Sequence, residues 1–120
     1  FEKGDPYHCY CQKTTRLISE KFKKIPIKTT FQSRFGPQEW LQPYTDKTLE
    51  SLPKEGKSNI LVICPGFSSD CVETLEEISI QGKESFVSNG GKNFDLVPCL
   101  NDGEDHIDLL IHLVKKYYTR

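Results

Sequence analysis

The chain has 120 residues, which fits one domain at about 150 residues per domain. Seventeen acids against 16 bases leave a net charge of -1, which excludes a general electrostatic nucleic-acid binder. Apolar residues make up 36% and fall in periodic blocks, with 7 Phe, 5 Tyr and 1 Trp giving the core bulk, so the chain folds rather than stays disordered. No apolar run approaches the ~20 residues of a membrane span, and no N-terminal segment reads as a signal peptide. The chain contains no Met and begins with Phe1, so a fragment or processed product is expected.

Gly4-Asp5-Pro6-Tyr7 has turn chemistry throughout. A helix is expected from about Cys9 to Lys23, with Leu17, Ile18 and Phe22 on its inner face. Lys28 to Ser33 alternates as a short strand. Arg34 to Tyr44 is a structured loop rich in proline and aromatic residues. Thr45 or Asp46 caps a short helix to about Leu52.

Asn59 to Cys64 (NILVIC) is the clearest strand, and its continuous apolarity predicts burial on both faces. Asp70 is expected to cap a long helix with Val72, Leu75, Ile78 or Ser79, Gly82 and Phe86 as its buried stripe. Asn89-Gly90-Gly91 ends it. Phe94 to Leu100 is a further strand. A closing helix from Glu104 to Tyr118 turns Ile107, Leu110, Ile111 and Val114 inward. The order is α-β-α-β-α-β-α, which predicts a three-layer α-β-α fold on a parallel sheet of about three strands. So short a sheet suggests a missing upstream strand.

Ligands of open α/β sheets bind beyond the carboxyl ends of the strands. Three loops fall there: Arg34–Tyr44, Pro65–Asp70 and Asn101–Glu104. The helix after the second loop starts with Asp70, Glu73, Glu76 and Glu77, which repel a phosphate and disfavour a flavodoxin-like nucleotide site. The plain explanation is stabilisation of the helix dipole, worth ~0.3–1 kcal/mol per acid. The alternative is an acidic line. Asp70, Glu73 and Glu77 stand at i, i+3 and i+7 and share one face of an α-helix, where they would guide a divalent cation or protons. Phe35, Trp40 and Tyr44 either cover a sheet edge or form an apolar wall for a planar ligand.

Five cysteines with no secretory context indicate free thiols in a reducing, cytoplasmic setting. Cys9-Tyr10-Cys11 beside His8 is half of a metal-site pattern, but no second half follows. Cys64 and Cys99 read as small buried hydrophobes. His106 and His112 read as surface residues.

These residues resemble the C-terminal half of the ferrochelatase family, whose members insert ferrous iron into protoporphyrin. Four blocks carry the resemblance: GDPY at residues 4–7; FQSRFGP at 31–37 with Trp40-Leu41 and PYTD at 43–46; CPGFSSDCVETLEE at 64–77; and PCLN at 98–101. Cys71 within the third block resembles the proteobacterial form, where other members carry His. The resemblance implies a chelatase-like C-terminal domain over residues 1–120, incomplete at its N-terminus, facing a porphyrin cleft built with a second domain. It implies Glu73 as the catalytic acid, on a helix with a local π-type bulge. Asp70, Glu73 and Glu77 would form the metal path, and Ser33, Phe35 and Trp40 would line the porphyrin pocket.

The implied partners are protoporphyrin, Fe(II) as substrate, the N-terminal half of the same enzyme and a peripheral contact with the inner membrane. No permanently bound cofactor and no iron–sulfur cluster are expected in this chain. Gln81 stands where many members have another acid. The family's catalytic histidine lies in a His-Gly-Leu-Pro segment just before Gly4, outside these 120 residues. The isolated chain is therefore expected to be inactive. A non-catalytic porphyrin- or metal-binding module of the same fold is the alternative.

Overall fold

A computed structural model describes residues 4–32 and 41–118. The chain divides into two compact units, residues 1–48 and 49–120.

In the first unit, α1 spans Tyr7–Ser19. It starts two residues before the predicted Cys9, because the Asp5 carboxylate accepts the Tyr7 N–H at 3.0 Å. The Tyr10 N–H then bonds the Pro6 carbonyl at 3.0 Å, closing the first turn. It ends at Ser19, short of the predicted Lys23, and a run of turns follows. The expected inner face is not buried: α1 contains no buried residue, and Leu17 and Phe22 are both about half exposed.

The predicted strand from Lys28 to Ser33 is reduced to one bridge, Phe31 beside Tyr44. The Phe31 N–H bonds the Pro43 carbonyl at 2.9 Å, and its own carbonyl accepts the Thr45 N–H at 3.0 Å. Ser33 and most of the aromatic loop lie outside the described residues.

Helix α2 spans Thr45–Ser51 as expected, and a 3₁₀ turn, Pro53–Glu55, leads to Gly56 in the left-handed conformation at φ 86°. In the second unit, β1 (Asn59–Val62) pairs in parallel with β2 (Asn93–Leu96), with Ile60 opposite Phe94 and Val62 opposite Leu96. Among the described residues the sheet has two strands, not about three. The parallel βαβ unit predicted from the order of elements is present.

β1 is not buried on both faces. Ile60 and Val62 pack on the core, while Leu61 and Ile63 stand 68% and 51% exposed. The alternation follows from the pleat, which turns successive side chains to opposite faces, and only one face is covered here.

Between the strands runs a π-helix, Glu73–Gly82, that continues as α3, Lys83–Ser88. Its buried side is Thr74, Ile78, Gly82 and Phe86, a strict four-residue repeat. Val72 and Leu75, expected inside, are exposed. Four residues overshoot one α-helical turn by about 40°, so such a repeat would drift off an α-helical face. The i→i+5 turn of the π-helix is wider, so over Glu73–Gly82 a four-residue step no longer overshoots.

Gly82 lets Leu49 approach: a Cβ there would meet the Leu49 Cδ1 at 3.1 Å. Asn89-Gly90-Gly91 ends α3 as predicted. Gly90 is left-handed at φ 108°, and the Gly91 N–H reaches back to the Phe86 carbonyl at 2.9 Å, a Schellman closure. The core is Leu49, Ile78, Phe86 and Phe94, flanked by Leu52, Ile60, Val62, Cys64 and Leu96.

Helix α4 spans Glu104–Tyr118. Its predicted inner residues Ile107, Leu110, Ile111 and Val114 are 40–65% exposed, and only His106 is buried. The amphipathic pattern is present, but among the described residues nothing covers it.

Candidate functional site

The loops that leave β1 and β2 meet at the carboxyl end of the sheet, where the topology predicts a site. Asp70 closes the first loop and Asn101 the second. The Asp70 N–H donates to Asn101 Oδ1 at 2.8 Å, and Asn101 Nδ2 donates to Asp70 Oδ2 at 3.0 Å. The Cys99 N–H also reaches Asp70 Oδ2, at 3.3 Å. The Thr74 hydroxyl donates to Asp70 Oδ1 at 2.9 Å and accepts the Cys71 N–H at 3.0 Å. Both carboxylate oxygens are thus engaged.

Asp70 therefore stands before the helix rather than capping it. The helix has Val72 as its N-cap residue, with no side-chain cap. The expected single face over Asp70, Glu73 and Glu77 is not a face of one α-helix, because the turn that contains Glu73 and Glu77 is of π type. Glu73 and Glu77 remain about one turn apart. Glu73 is exposed and Glu77 half-buried. Among the described residues, no three His, Cys, Asp or Glu side chains stand together closely enough to hold a metal ion.

Hydrogen bonds favour the ionised forms of Asp70 and Glu73. Asp70 lies below the usual carboxylate range, chiefly through the Asn101 amide, then the Thr74 hydroxyl and Cys99. Glu73 is lowered mainly by the Cys71 side chain and by its own backbone N–H. These favour the charged form because a carboxylate accepts them better than a carboxylic acid does. Burial raises the Cys64 thiol to about 11, with the charges of Cys99, Asp70 and Cys71 adding to the effect. Cys64 and Cys99 are partly buried rather than fully enclosed, and Cys64 stays a protonated thiol at neutral pH.

A depressed carboxylate pKa stabilises the fold above the unfolded value of about 3.9 and ceases to do so as pH falls through the folded value. Asp70→Asn should therefore melt below the wild type near neutral pH, and the gap should shrink below about pH 4. Melting curves of the two chains from neutral to acid pH check this. A gap independent of pH would show that the charge of Asp70 contributes nothing.

Thr74, Asn101 and His106 are site residues that sequence reasoning missed. His106, read as a surface residue, is 8% exposed, and its Nδ1 bonds the Asn101 carbonyl at 2.6 Å. The PCLN block contained Asn101, but neither its left-handed φ of 51° nor its partner can be read from spacing. The predicted pocket residues Ser33, Phe35 and Trp40 lie outside the described residues. His8 stacks on Phe31 at a centroid distance of 5.7 Å.

A family model described as Ferrochelatase matches residues 1–118. The ferrochelatase of Rhizobium meliloti is 58% identical over 118 residues, covering 97% of this chain and 35% of that protein. The ferrochelatase of Francisella tularensis subsp. novicida is 51% identical over 120 residues, covering 97% of this chain and 36% of the relative. That of Marinobacter nauticus is 56% identical over 115 residues, covering 94% and 31% respectively. The chain thus spans about a third of the length of the curated relatives it matches.

Proposed function

We propose, because the chain belongs to the ferrochelatase family, that it supplies the acidic wall of a porphyrin-metallation site. Fe(II) and protoporphyrin are the substrates. The observation that supports this most directly is Glu73, an exposed carboxylate held ionised on the first turn of a π-helix. Short π segments inside helices recur at functional sites.

Metal insertion exchanges two pyrrole protons for one Fe(II), which must also shed water. A carboxylate suits both tasks: it accepts a proton and is an oxygen ligand for a divalent ion. In this reading Glu73 is the reacting acid, while Asp70 and Glu77 extend the polar path beside it. Ser33, Phe35 and Trp40 line the macrocycle. The family's catalytic histidine is not among the 120 residues, and one domain gives one wall of a cleft. The chain alone is therefore inactive and needs the remainder of the enzyme. Work in the cytoplasm, with a peripheral membrane contact, belongs to the same reading. Among the described residues, no helix is long and apolar enough to cross a membrane.

The test is a metallation assay with Fe(II) or Zn(II) on the purified chain, then on the chain mixed with the separately expressed remainder of a relative. Soret-band titration runs beside it. The expected result is no turnover alone and recovery on mixing. Full turnover by the chain alone would overturn the division of labour. Porphyrin binding with no turnover in either case would favour a non-catalytic binding module.

A further inference from the structure

We propose that Asn101 is a positioning residue that sets where the first turn of the π-helix, and so Glu73, stands. The inference rests on the reading of Glu73 as the reacting acid. Asn101 joins several elements at once. Its N–H donates to the Ser68 carbonyl at 2.9 Å, and its side chain grips Asp70 through both the amide oxygen and the amide nitrogen. Its carbonyl is held from α4 by His106, whose Nδ1 must carry the proton because a carbonyl only accepts.

The constraint continues inward. Asp70 is bonded to Thr74, which is fully buried, and the Thr74 hydroxyl accepts the N–H of Cys71. The Cys71 carbonyl in turn receives the N–H groups of Thr74 and Leu75, at 3.2 Å and 2.8 Å. Glu73 lies inside this closed turn and cannot shift without breaking it.

The residue type follows from the backbone. At φ 51° most L side chains are strained, while Asn is among the few that tolerate the left-handed region. Asp shares that tolerance, but its second carboxylate oxygen would face Asp70 Oδ2 where the amide now donates. Asn alone gives a left-handed turn, an acceptor for a backbone N–H and a donor to a carboxylate from one side chain.

Two variants test this. Asn101→Gly keeps the left-handed backbone without strain and removes the amide. Asn101→Asp keeps the size and removes the donor. In the 120-residue chain, amide hydrogen exchange should accelerate at Asp70 and Cys99 in both variants while β1 and β2 keep their protection. In a full-length ferrochelatase carrying this segment, kcat should fall about ten- to hundredfold, with porphyrin KM within about twofold. Unchanged exchange at Asp70 and Cys99 would overturn the clamp. Faster exchange with unchanged kcat would show a loop staple with no positioning role. The full-length Glu73→Gln variant keeps the two readings separable: if it retains turnover, the role given to Glu73 fails while the exchange result still reports on the clamp.

Discussion

Glu73→Gln in a full-length ferrochelatase carrying this segment should lose at least about a hundredfold in kcat and bind porphyrin within several-fold of normal. The amide keeps the shape and length of the side chain. It cannot accept a proton at neutral pH and is a poor ligand for a divalent cation. A positioned acid or base contributes about 10²–10⁴ to a rate, which sets the size of the loss. Porphyrin affinity should hardly move, because in the proposed reading Glu73 meets the metal and the pyrrole protons, while other residues line the macrocycle. Steady-state metallation with Zn(II), beside Soret titration, separates the two quantities. Normal turnover would reduce Glu73 to a partner of the helix dipole, which is the plain explanation its position also admits.

How much of this site was legible depends on the range of the interactions. The acids were visible because a run of carboxylates at a helix start is a local pattern. The π-turn was implied by family resemblance alone; hydrophobic spacing pointed to an ordinary helix. With an α-helical period, Val72 and Leu75 fell on the inner stripe and Thr74 fell outside it. In the structure Thr74 is completely buried and Val72 is 68% exposed. The four-residue repeat of Thr74, Ile78, Gly82 and Phe86 stands in the sequence, but an α-helical period does not select it. Asn101 and His106 escaped for a different reason. Asn101 bonds Asp70 across 31 residues, and His106 holds the Asn101 carbonyl from α4; no local pattern encodes either pairing.

The fold shows the same division. NILVIC and the strand after the Gly90-Gly91 turn were recognisable, as was their parallel pairing, since a helix between two strands requires a crossover. Burial was overestimated where apolar residues meet no cover among the described residues. Leu61, Ile63 and the Ile107–Val114 face of α4 carry core-like side chains on exposed surfaces. Composition gives the capacity for burial; it does not specify which element supplies the cover.

Phe86→Ala should abolish cooperative folding of the 49–120 unit. The ring is completely buried, lies 6.0 Å from the Phe94 ring at a 51° tilt, and occupies the space directly over Gly91. Removing a buried Phe costs about 3–5 kcal/mol through lost transfer energy and the cavity left behind. A whole domain is stable by only about 5–15 kcal/mol, and a core this small gives the lower end of that range. Gly91 cannot fill the gap, having no side chain. Phe94 would lose its tilted partner, worth about 0.5–1.5 kcal/mol beyond area burial. Val87→Ala is the control. Val87 adjoins Phe86 in the same helix but is 46% exposed, so its truncation should change stability by less than about 0.5 kcal/mol. Urea unfolding followed by near-ultraviolet circular dichroism would compare the two. A cooperative transition for Phe86→Ala, with a midpoint close to that of Val87→Ala, would show that the exposed apolar faces of β1 and α4, and not this ring, hold the unit together.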